Sequence, residues 1–174
     1  MGGELGMKLL KEITEKDIGI KNPEEVVFRQ RTAVRAVLMD KDMNVALLFV
    51  RKHKYHKIPG GGVEKGEELF GALKREVLEE TGHQFMLQEE LGIIKEQRNT
   101  IKEFQTSYCW LAKVVGEKGA HAFTEKEKSE GFELQWLPIK EAIKTIKAEK
   151  PDDYEGKFIV QRDLIFLEEA KKIR

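Results

Sequence analysis

The sequence predicts a mixed α/β fold with a mixed β-sheet, and three observations carry that reading. Runs of β-branched and apolar residues of strand length recur between turn signals on both sides of one long stretch poor in Gly and Pro. That stretch, residues 67–81, contains Gly71 as its one breaker and is rich in Glu, Leu, Ala and Lys, which lose little freedom on entering a helix. With 174 residues, 40% of them hydrophobic and 36% charged, the chain has material for a substantial core under a well-solvated surface.

Taken in order, residues 1–6 (MGGELG) are glycine-rich and precede a second methionine, so a flexible extension is expected there, followed by one domain over 7–174. Residues 32–39 (TAVRAVLM) and 44–50 (NVALLFV) read as a hairpin closed by the polar turn Asp40-Lys41-Asp42. Lys57-Ile58-Pro59 then leads into Gly60-Gly61-Gly62, a loop that lets a ligand or another chain segment come close. The helix over 67–81 stops at Gly82. Residues 85–95, 104–115 and 132–137 read as further strands, and Pro138 suits the first turn of a helix reaching about Lys147. After Pro151-Asp152-Asp153 a last helix is expected over about 156–172, and its apolar residues either complete the core or form a dimer contact. A monomer and a homodimer are both compatible with that pattern.

Charge excludes some roles. The 31 Lys and Arg balance 31 Asp and Glu, so no net field draws the chain to nucleic acid or an anionic membrane. No apolar run reaches the ~18 residues of a spanning helix. The single cysteine, Cys109, has no partner for an internal disulfide, and a cytoplasmic protein is expected.

The central helix breaks the amphipathic rule. At about 100° per residue, with Glu76 at zero, Glu80 falls at about +40° and Glu79 at about −60°, on the stripe that also carries Leu69, Ala72 and Leu73. Acids in line with buried leucines suffer both desolvation and mutual repulsion, so they call for a counter-charge. A hard divalent cation supplies one, because Mg²⁺ takes carboxylate and carbonyl oxygens and retains positions for water and phosphate.

Gly61, Glu67 and the run Arg75-Glu76-Val77-Leu78-Glu79-Glu80-Thr81-Gly82 resemble the Nudix box, G-x5-E-x7-R-E-U-x-E-E-x-G-U, where U is a bulky apolar residue. Every fixed polar and glycine position is filled, and the one departure is His83 in place of the last apolar residue. The resemblance implies an α/β/α sandwich around a central mixed sheet. It also implies hydrolysis of a nucleoside diphosphate linked to another moiety, a small-molecule nucleotide substrate, and Mg²⁺, replaceable by Mn²⁺, as cofactor. Glu76, Glu79 and Glu80 would hold the metal together with the carbonyl of Gly60 or Gly61, and Arg75 would pair with Glu67 or a neighbouring glutamate. Glu79 or Glu80 can serve as the general base, but the best candidate is Glu130, because Glu130-Gly131 ahead of Trp136 is similar to the MutT branch; Glu127 and Glu133 are rivals. Arg98 stands where ADP-ribose hydrolases carry a proline, and dinucleotide markers are missing, which favours nucleoside triphosphates, damaged ones included, over ADP-ribose or nucleotide sugars. Arg51 and Lys57, with Lys52 and Tyr55, flank the glycine loop and are candidates to meet substrate phosphates or a base. The competing class is a non-catalytic nucleotide-sensing module, against which the intact acidic set argues.

Overall fold

In the computed structural model, which describes residues 6–21 and 25–173, eight strands form one sheet. The elements are β1 (Leu9–Ile13), β2 (Arg29–Met39), β3 (Asn44–Val50), β4 (Tyr55–Lys57), β5 (Gly60–Gly62), α1 (Leu69–Thr81), β6 (Gln84–Arg98), β7 (Glu103–Val115), α2 (Glu125–Glu130), β8 (Phe132–Pro138), α3 (Ile139–Ala148) and α4 (Tyr154–Lys172). The strand order is β1-β6-β7-β2-β3-β4, with β5 added to β2 and β8 to β3. The β1/β6 and β2/β7 pairs are parallel and the others antiparallel, so the sheet is mixed. The extension expected over 1–6 lies, except for Gly6, outside the described residues.

Alternation along the strands assigns the two faces. Val34, Ala36 and Leu38 of β2 pack with Ala72, Leu73 and Val77 of α1. Val37 and Met39, one residue out of phase, pack with Ala142 and Ile146 of α3 and with Phe158, Phe166 and Leu167 of α4. Helices therefore cover both faces, which makes an α/β/α sandwich. No helix among the described residues is long and apolar enough to cross a membrane.

Local differences from the sequence reading have physical causes. The central helix begins at Leu69 rather than 67, because the Glu67 carboxylate instead accepts the Glu64 N–H at 3.0 Å and pairs with Arg75. It ends as expected at Gly82, whose φ is 72°. The Gly60–Gly62 loop is a short strand in register with β2, Arg35 opposite Gly60 and Ala33 opposite Gly62. Pro138 ends β8 in an extended conformation and precedes α3 instead of entering its first turn. His83 fills an apolar position by setting its ring edge-on to Trp136, 5.4 Å between centroids, while Nδ1 lies 2.9 Å from the Thr81 carbonyl oxygen.

Candidate active site

The site begins where β5 is clamped between β2 and α1. A Cβ on Gly60 would run into the Val34 carbonyl, and one on Gly61 would overlap the Glu76 carboxylate. The two glycines thus let the acidic stripe touch backbone. Glu80, on α1, is 1% exposed; its Oε2 accepts the Gly60 N–H at 2.7 Å and its Oε1 accepts from Lys57 Nζ at 3.0 Å. Burial pushes the Glu80 carboxyl up to about 7, with the Lys57 ammonium opposing that rise and Glu76 adding to it. The same ammonium lies 3.5 Å from the Gly60 carbonyl oxygen, which also accepts from Arg35 Nη1 at 2.5 Å.

Arg75 organises the outer half of the stripe. Its Nε and Nη2 grip both oxygens of Glu67 at 2.9 Å each, Nη2 also reaches the Gly62 carbonyl at 3.1 Å, and Nη1 donates to Glu76 at 2.8 Å. Glu79 lies farther out, 3.6 Å from Arg75 Nη1, and burial together with Glu76 raises its pKa. The paired guanidinium takes Glu67 down to about 2. Cations of the chain itself therefore separate the three acids, and among the described residues no three His, Cys, Asp or Glu side chains converge on one metal-sized point.

Gly60, Gly61 and Glu76 border a cavity of about 400 Å³. Lys57 and Tyr55 line it, as do Glu127 and Glu130. The Glu130 side chain is 17% exposed and its Oε1 is 4.0 Å from Lys126 Nζ. Glu127 is committed to capping α2, since its carboxylate accepts the Thr124 N–H at 2.7 Å. Glu133 pairs at 2.8 Å with Arg51 on the surface, and neither lines the cavity.

A second wall of the cavity escapes the sequence reading. Arg29, Arg31 and Arg35 of β2, Arg98 at the end of β6 and Arg162 of α4 all line it. Arg29 donates to Glu103 at 2.5 Å, Arg31 to Gln105, and Arg98 to Glu96 at 2.9 Å. Arg162 is fully buried, with Nε on Asp163 at 2.7 Å and Nη1 on Glu96 at 3.5 Å. The available signal is the period of two: Arg29, Arg31 and Arg35 share the face of β2 that carries Val37 and Met39 further along, so the face turns from apolar to basic along one strand.

A family profile described as "NUDIX domain" matches residues 29–157. The chain is 27% identical over 125 residues to the mouse diphosphoinositol polyphosphate phosphohydrolase 3-alpha, spanning 71% of this chain and 73% of that one. Against the rat diphosphoinositol polyphosphate phosphohydrolase 2 it is 30% identical over 127 residues, spanning 71% and 66%. Among solved structures it resembles a NUDIX hydrolase from Nitrosomonas europaea with a TM-score of 0.62 and 21% identity over 83% of this chain and 90% of the other. It likewise resembles the MutT protein of Methanosarcina mazei Go1, with a TM-score of 0.56 and 18% identity over 84% and 99%. With the box on the α1 ridge, the sandwich around it and a profile match over most of the length, the chain belongs to the Nudix family of hydrolases that cleave pyrophosphate bonds.

Proposed function

We propose that this chain is an Mg²⁺-dependent hydrolase of the phosphoanhydride in a nucleoside diphosphate linked to another moiety, with nucleoside triphosphates preferred. The observation that carries the reading is the clasp of Glu76 and Glu80 against the Gly60–Gly61 backbone at the cavity's edge. The donors there suit a hard cation, being carboxylate and carbonyl oxygens, and a cation of the chain, the Lys57 ammonium, already lies near both Glu80 and the Gly60 carbonyl. Glu76, Glu79, Glu80 and the Gly60 or Gly61 carbonyl would hold Mg²⁺, or Mn²⁺ in its place, and the bound ion would neutralise pyrophosphate oxygens and lower the pKa of the attacking water. Glu130, which lines the same cavity as the glycines, would accept that water's proton. Arg75 fixes Glu76 and Glu67 in position, and Lys57 offsets part of the charge that builds around Glu80.

A second substrate reading, a diphosphate on a highly phosphorylated polyol, is favoured by the five arginines that line the cavity and by the names of the mammalian relatives. One panel decides between them. Turnover of nucleoside triphosphates, ADP-ribose, a nucleotide sugar and a diphosphoinositol polyphosphate is compared by kcat/KM, with and without EDTA. EDTA-sensitive cleavage of at least one is expected, with the triphosphates highest. Silence across the panel overturns the enzyme reading, and a clear lead for the polyol moves the preference to the second substrate.

A further inference from the structure

Arg35, Arg98 and Arg162 are 5%, 3% and 0% exposed, and each lines the cavity beyond the glycine strand. Each also keeps a buried nitrogen with no hydrogen-bond partner among the described residues: Nε of Arg35, Nε of Arg98 and Nη2 of Arg162. A buried donor without an acceptor costs about 1–3 kcal/mol, so three in one place are retained against a steady penalty. The neighbouring acids, Asp163 at 2.7 Å from Arg162 Nε among them, leave these three nitrogens unpaired. One carboxylate, Glu96, serves two of the arginines, with Oε1 at 2.9 Å from Arg98 and Oε2 at 3.5 Å from Arg162. Glu103 lies 3.3 Å from Arg98 and Glu155 3.7 Å from it, the latter half exposed. Burial and the repulsion of Arg162 and Arg31 bring the Arg35 guanidinium down to about 10.

We infer that Arg35, Arg98 and Arg162 form an anion subsite that takes a phosphate group of the substrate other than the pair being cleaved. A phosphate oxygen accepts several N–H bonds at once, and guanidiniums present their donors in the planar fork that suits it. Arg35 ties the subsite to the cleavage end, because it lines the cavity, its Nη1 holds the Gly60 carbonyl and its Nε has no hydrogen-bond partner among the described residues. The inference deepens the proposed hydrolase reading and rests on it for its kinetic arm alone.

The direct test is titration of the metal-free parent protein with inorganic phosphate in EDTA, observing arginine Nε–Hε resonances. Those of Arg35 and Arg98 should move and saturate together, while Arg51 and Arg75, paired elsewhere, stay in place. Unmoved Arg35 and Arg98 resonances overturn the subsite even if the enzyme is active. The kinetic arm distinguishes substrate phosphate from a free ion. Phosphate should inhibit competitively, and Arg98→Gln should raise KM about tenfold or more with kcat little changed, as loss of a charge-assisted contact predicts. Arg98→Lys should restore only part of the loss because the ammonium lacks the fork. Inhibition that does not compete with substrate, or a KM unchanged in a folded Arg98→Gln, overturns the assignment to substrate.

Discussion

The acidic ridge and the arginine wall border one cavity and handle like charge in opposite ways. On the ridge, Glu76, Glu79 and Glu80 crowd within two turns of one helix, and the cations that separate them are Arg75 on the same helix and Lys57 on β4. On the wall the charges come from β2, β6, β7 and α4, and beside the local pairs Arg98–Glu96 and Arg162–Asp163 there are pairs that join different elements, Arg29 with Glu103 and Arg162 with Glu96. Local crowding leaves the ridge short of positive charge whether or not the rest of the fold is perfect. The wall exists only when the sheet and α4 are assembled. Loss of charge should therefore cost activity on the ridge and stability at the base of the wall.

The largest expected effect is on stability. Asp163 is fully buried, accepting from Arg162 Nε at 2.7 Å and from the Ile58 N–H at 2.9 Å. Asp163→Ala leaves a buried guanidinium short of its partner and frees the backbone that leads into the glycine strand, a loss of about 3–5 kcal/mol. Denaturant unfolding measures it. An unchanged midpoint would mean that the wall does not secure α4, and the contrast between the two regions would collapse.

On the ridge the cost moves to turnover. Glu79 is about one-third exposed and its charge is raised in energy by Glu76, so Glu79→Gln should leave the melting temperature in EDTA unchanged or slightly higher. Turnover should fall by about a hundredfold or more, as when a preorganised electrostatic group is removed. Added Mg²⁺ should stabilise the parent more than the variant, since a ligand of the folded state acts by mass action. Full turnover in the variant would remove Glu79 from the site.

Gly61→Ala tests the junction. Its methyl group meets the Glu76 carboxylate, whose terminal atoms can swing aside without unfolding the chain. With Glu76 in its proposed role, a displacement near 1 Å costs roughly a hundredfold or less, so kcat should fall while the melting temperature barely moves. A variant with normal kcat would show that Glu76 need not touch the glycine strand.

The same contrast explains what the sequence made legible. The ridge was visible because its residues sit within one helix, where angular position follows from spacing, and the strands around 32–50 and 104–115 showed as β-branched and apolar runs between turn signals. The wall was not, because Arg98 and Arg162 are brought to β2 by pairings across the sheet and from α4, separations that no local period encodes. β4 and β5, of three residues each, are too short to carry a strand pattern, and polyglycine reads as loop unless the neighbouring strand is known to be close. Residues 125–130 carry no apolar residue to mark a helical face, although the Thr124 and Glu127 capping box makes them a helix.

The smallest predicted effect concerns His56, which joins β4 to the end of α3 and extends the comparison to a third charged contact. Its Nδ1 lies 2.5 Å from Glu149 Oε1 and its Nε2 2.9 Å from Gln135 Oε1, while its backbone N–H donates to Glu149 Oε2 at 2.8 Å. Acceptors at both ring nitrogens suit the doubly protonated imidazolium. Burial lowers the pKa of His56, but the bonds to Glu149 and Gln135, with Glu133 adding its field, raise it above the ordinary value. A folded pKa above the unfolded one gives stability that is full below the unfolded pKa, about 6.5, and fades as pH rises through the folded value. His56→Gln should therefore melt below the parent by roughly 2–4 °C near pH 5.5, if the pair contributes about 1 kcal/mol, and the gap should narrow toward pH 9. Melting curves in EDTA across that range, with Glu149→Gln as the matching half of the pair, measure it. A gap that stays constant with pH would assign His56 to packing against Phe49, whose ring centroid is 4.8 Å away, and would leave charge pairing to the ridge and the wall.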